Sequence, residues 1–180
     1  GVLVSALSLS GCGKKVGEMV AEKVIETAAS EQGEKVDVDM SGGKMTVKTE
    51  EGTARYDFEK GTGTFTSESG ETSFATGESA EIPADFPKDV PVYSNLKLTM
   101  VVRDDVEKAI TFSGTVSDDA GKVTSFYKDA MMKEGWTEES ALTQDMGKMN
   151  LLAFTKGERE TTLMIISGQE GTELTLTTKQ

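Results

Sequence analysis

Asp37-x-Asp39-x-Ser41-Gly42 has the spacing of oxygen ligands that would open a calcium-binding loop. Such a loop closes on a bidentate Glu at its twelfth position. That position is Lys48, a cation, which argues against calcium. Two adjacent carboxylate pairs, Asp104-Asp105 and Asp118-Asp119, invite an acid–base reading. The first falls in a turn and the second at a helix start, places that favour Asp for structural reasons. Carboxylates brought together from distant strands could still make a glycosidase pair. The chain has no His and one Cys, so a His-based triad, a His-ligated zinc and an internal disulfide are excluded within one chain. No phosphate-cradling Gly loop, nucleophile elbow or Ser-x-x-Lys is present. The nine Met lie scattered at apolar positions, which suits core filling better than copper ligation. These readings predict a non-enzyme with no catalytic residues, cofactor or metal; a carboxylate-based hydrolase is the less favoured alternative.

The formal net charge is −12. Binding nucleic acid requires neutralising phosphates with Lys and Arg, so a nucleic-acid partner is not expected. A polybasic grip on anionic lipid is disfavoured for the same reason. With 180 residues and 36% hydrophobic content, the chain can bury one sizeable core or two small ones.

Cys12 is the exception to this lack of chemistry. Val2 to Ser10, VLVSALSLS, is an apolar run too short to span a bilayer. It runs into Leu9-Ser10-Gly11-Cys12, which resembles the bacterial lipobox: an apolar residue, two small residues, then Cys. The run reads as a signal-peptide remnant over residues 1–11. The resemblance implies cleavage before Cys12, lipidation of its thiol and acylation of the new amine, since stable anchoring takes two chains or more. The partner is then a membrane outside the cytoplasm. Residue 13 is Gly, not Asp, so the usual sorting rule points to the outer membrane if the host is Gram-negative.

Elements follow by periodicity. Val16, Met19, Val20, Val24 and Ala28 share one face of a helix over residues 16–32. Gly43, Gly52, Gly61 and Gly70 then recur every nine residues, each second in a pair suited to a two-residue hairpin turn. Those turns align Val38, Val47, Tyr56, Phe65 and Phe74 in one apolar row. The prediction is a five-stranded antiparallel meander over residues 35–78, covered by the helix. Pro83, Pro87 and Pro91 mark a stiff connector over residues 80–94. Residues 95–180 read as a ββαββββ module. Ser117 or Asp118 caps its helix, and Val123, Phe126, Tyr127, Ala130 and Met131 form the apolar stripe. The fold class predicted is α+β: residues 12–79 as a lipidated N-terminus, helix and meander, then a module with one helix on a mainly antiparallel sheet.

The connector IPADFPKDVPVY and the helix phrase FYKDAMMKEGW, from Phe126 to Trp136, resemble a family of uncharacterised bacterial lipoproteins over roughly residues 82–180. Its shared residues are packing types, so the resemblance implies fold and location without an activity. The function expected is a non-catalytic binding or scaffolding role in the cell envelope, with a possible envelope protein partner. The alternative is a soluble-ligand-binding lipoprotein. The apolar pairs Leu151-Leu152 and Leu163-Met164-Ile165-Ile166 serve both faces of the sheet, which places the working surface on its second face or along the seam between modules.

Overall fold

Period-two alternation runs through most of the chain and makes it a sheet protein. In Thr172-Glu-Leu-Thr-Leu-Thr-Thr-Lys179 every second side chain is buried. The computed structural model describes residues 22–23, 36–140, 142–169 and 171–180. The strands are β1 (Asp37–Ser41), β2 (Lys44–Lys48), β3 (Gly52–Asp57), β4 (Thr62–Ser67), β5 (Gly70–Thr76), β6 (Lys97–Asp104) and β7 (Ala109–Val116). After helix α1 (Ala120–Lys133) come the two-residue β8 (Thr137–Glu138) and β9 (Gln144–Asp145), then β10 (Met149–Lys156), β11 (Arg159–Ser167) and β12 (Thr172–Lys179).

The twelve strands among the described residues belong to one antiparallel sheet, in the order β1-β2-β3-β4-β5-β6-β7-β12-β11-β10-β8, with β9 also on β10. This overturns the predicted α+β fold of a helix with a separate meander followed by a helix-on-sheet module. Strand occupies 51% of the chain. The meander continues into the second half because β5 pairs with β6, Phe74 opposite Val102 and Ala75 opposite Val101. Pairing these strands removes two hydrogen-bonding edges that would otherwise stay open. The predicted helix over residues 16–32 and the lipidation site at Cys12 lie outside the described residues, apart from Glu22 and Lys23. The Glu22 carboxylate accepts a hydrogen bond from the backbone N–H of Met40 on edge strand β1.

The glycine turns also need correction. Gly42 and Gly43, both at positive φ, make the expected two-residue turn. The next two loops have four residues, 49–52 and 58–61, and the last turn is Glu68-Ser69. In the third loop the Asp57 carboxylate accepts hydrogen bonds from the N–H groups of Glu59 and Lys60, and Gly61 N–H returns to Asp57 O at 2.8 Å. Asp57 thus starts the turn three residues before the Lys60-Gly61 pair that sequence spacing favours. Tyr56 therefore faces Met45 and Gly63 rather than Val47 and Phe65, and Phe74 faces Gly63. A slip of two residues keeps every side chain on its predicted face.

The core occupies one side of β6, β7 and β10–β12. Leu152, Leu163, Leu176, Phe112 and Val101 form a cross-strand row there, with Ile165 and Leu174 beside it. Helix α1 lays Val123, Tyr127 and Met131 on this row, each 0% exposed. Phe126 packs at the edge of the cluster and Ala130 is half-buried. Asp119, not Ser117 or Asp118, is the N-cap; its carboxylate accepts the Lys122 N–H at 2.9 Å. Gly135, at φ +84°, turns the chain after the helix.

The proline segment links neighbouring strands of this single sheet and straps the same face. Phe86, Val90 and Tyr93 are buried in the core, and the Phe86 ring lies 5.6 Å from that of Phe112. The strap is fastened at Asp89. Its carboxylate takes both Arg159 guanidinium donors at 2.8 and 2.9 Å and Lys156 Nζ at 2.7 Å, and its carbonyl accepts the Trp136 indole N–H at 2.8 Å.

Candidate functional site

Antiparallel partners share a face, so the register allows each face to be followed across the whole sheet. The helix-covered side changes character partway. Val101 opposes Ala75, and the row continues as Thr62, Asp57, Lys44 and Ser41. This face is apolar from β6 through β7 and β12–β10 and polar in the meander. The far face does the reverse, carrying Met40, Met45, Tyr56, Phe65 and Phe74 in the meander.

One row of the far face crosses ten strands: Met40, Met45, Tyr56, Gly63, Phe74, Val102, Thr111, Thr177, Thr162 and Ala153. A second row runs Thr76, Met100, Ser113, Thr175, Met164 and Leu151. Neither row contains Asp, Glu, Lys or Arg, in a chain that is 28% charged. Charges stand on the rows to either side: Asp104, Lys179 and Glu160 along one, Lys97 and Glu173 along the other. At about 4.8 Å between strands, nine spacings make the strip about 43 Å wide.

The strip has three zones. In the meander, Tyr56 stacks on Phe74 at 5.6 Å and meets Phe58 edge-on at 4.5 Å. Gly63 makes this possible, since a Cβ there would lie 2.4 Å from the Phe74 ring. Phe65 lies similarly over Gly52. In the centre, hydroxyls pair across strands, Thr111 with Thr177 and Ser113 with Thr175, both at 2.9 Å. At the far end, Met149, Leu151, Met164 and Ile166 form a small apolar group. The strip is partly open to water: Met100 is 36% exposed and Met164 37%, and Phe65, in the row beside it, is 40% exposed.

The carboxylates singled out in the sequence do structural work. Asp37 faces Lys48 across the first hairpin. Asp104 caps the β6–β7 turn by accepting N–H bonds from Val106 and Glu107, and Asp105 pairs with Arg103. Asp118 accepts the Tyr93 hydroxyl at 2.8 Å and Lys122 Nζ at 2.6 Å. Lys122 and the Tyr93 hydroxyl hold the Asp118 carboxyl below its usual range. Tyr127, pushed up by burial, accepts the Tyr93 backbone N–H. The two Asp pairs sit at opposite ends of β7, about 26 Å of strand apart, so the fold does not unite them.

The methionine reading also changes. Met131 is core, while Met40, Met45, Met100, Met149 and Met164 lie on the far face. Strand alternation at these positions was the signal that could have placed them.

A family model described as START domain-like matches residues 97–172, less than half of the chain. The match takes in β6, β7, α1 and β8–β11, the part whose apolar face the helix covers, and leaves out the meander. No curated protein sequence and no solved structure matches the chain.

Proposed function

We propose that this chain is a non-catalytic binding protein of the cell envelope, tethered through lipid on Cys12, that docks a protein partner on the uncharged strip of its sheet. The observation that carries this reading is the strip itself. At about 43 Å across ten strands it is too wide for a small molecule to fill. Its composition is that of a protein interface: Tyr, Phe and Met are enriched, and Lys, Glu and Asp are confined to the rim. The tether rests on the likeness of Leu9-Ser10-Gly11-Cys12 to a lipobox.

The test is photo-cross-linking in native envelopes, with a benzophenone amino acid placed at Phe65, Met100 or Thr175. One discrete protein adduct should appear from all three positions and be absent when the probe sits at Thr66, on the other face. A Thr175→Arg change should reduce the Phe65 adduct severalfold. Adducts from Thr66 as strong as those from Phe65 would end the proposal. The Cys12→Ser variant should lose its acyl mass and leave the membrane fraction; unchanged acylation would remove the tether from this account.

The START-like match favours a second reading, because such domains generally bind ligands rather than catalyse. A small molecule retained in native mass spectra of the purified chain would support it.

A further inference from the structure

We propose that the polar side of the meander holds a site for a tetrahedral oxyanion, the phosphate or sulfate group of a small ligand, centred on Arg55. The chain has three arginines. Arg103 pairs with Asp85 and Asp105, and Arg159 pairs with Asp89. Arg55 is exposed and makes no ion pair among the described residues, in a chain with 31 carboxylates. Thr46 and Thr64 stand directly across from it on β2 and β4. The two residues therefore flank Arg55 on the neighbouring strands, each about 4.8 Å away in strand spacing. Neither hydroxyl has a hydrogen-bond partner among the described residues.

Lys44, Asp57 and Thr62 form the next row on the same face, and all six residues line an open concavity of about 230 Å³. Asp39 stands beyond Thr46 in the Arg55 row, and among the described residues that line the concavity Asp57 is the one carboxylate. Its Oδ1 is committed to the Glu59 and Lys60 N–H groups, and its Oδ2 lies 3.6 Å from Lys44 Nζ. The lining keeps one net positive charge, with donors arriving from both neighbouring strands as well as from Arg55. A planar carboxylate would use the guanidinium fork alone; a tetrahedral group has oxygens left for the hydroxyls.

NMR on the full chain, labelled at arginine and along the backbone, tests this at constant ionic strength. Inorganic phosphate should shift the Arg55 Nε–H signal and the Thr46 and Thr64 amides along one saturable curve. Acetate should bind at least tenfold more weakly. Arg55→Gln, a change at an exposed side chain, should abolish the saturable amide shifts, and Lys133→Gln should leave them intact. Vesicles containing phosphatidic acid separate the sources: saturation by soluble phosphate assigns a free ligand, and saturation by vesicles alone assigns a lipid headgroup. Linear shifts with phosphate and with vesicles alike, shifts that survive Arg55→Gln, or acetate binding as well as phosphate would each overturn the proposal.

Discussion

Asp89 shows how much one side chain contributes to this fold. Arg159 beside it, and Lys156 after that, hold its carboxyl down to about 2 from an ordinary 3.8. Unfolded, the group takes its proton near the ordinary value; folded, it resists until about 2. The ion pairs are therefore at full strength above about pH 4, and their contribution is lost as pH falls through 2. The Asp89 side chain is 25% exposed, so solvent screening reduces the contribution to about 1–2 kcal/mol. Asp89→Asn should be less stable than the parent chain by that amount at pH 6. The gap should close by pH 2, read from urea unfolding at the two pH values. An equal gap at both would mean the strap is held by packing alone.

At the scale of elements, glycines and caps decide geometry that hydrophobic pattern leaves open. Gly63 is a hairpin-strand residue that lets the Phe74 ring lie against backbone. Gly63→Ala should cost about 1–3 kcal/mol through the forced movement of that ring. Thr64→Ala, next along on the polar face, should change stability by about 0.5 kcal/mol or less. Equal losses would contradict the face assignment. The helix supplies a second comparison: Asp119→Ala should cost about 1 kcal/mol as a lost N-cap, and Ser117→Ala should cost little. Thermal melts of the four variants suffice for both. The cap was misread because Ser117, Asp118 and Asp119 are all good capping residues. Only the entry angle of the chain from β7 selects the third.

For the whole molecule, the decisive contact is β5 on β6. A chain beginning at residue 80 would expose the β6 edge, with Val101 and Val102 flanked by open N–H and C=O groups. Hydrogen exchange should then quicken in β6 and leave β10 and β11 unchanged, because the meander extends the sheet and does not stack on it. Faster exchange in β10 and β11 on truncation would mean the meander also covers the far face.

Most strands and the two faces of each are legible in the residues themselves. Period-two alternation and the placement of glycines are local, and a strand's two faces are set within its own residues. The same locality made helix α1 and its stripe legible. It also made the uncharged rows readable in principle, residue by residue. Which strand meets which is settled by the folded chain. The β5–β6 pairing lies across a proline strap of twenty residues, numbers 77 to 96, and backbone hydrogen bonds carry no sequence signature of their partner. That pairing turned two expected modules into one sheet. It also joined the meander's apolar face to the hydroxyl rows of the second half, and so made the strip. From the sequence, Arg55 reads as an exposed residue on the polar face of the meander, with no sign of its partners. That it makes no ion pair among the described residues is visible only in the folded sheet.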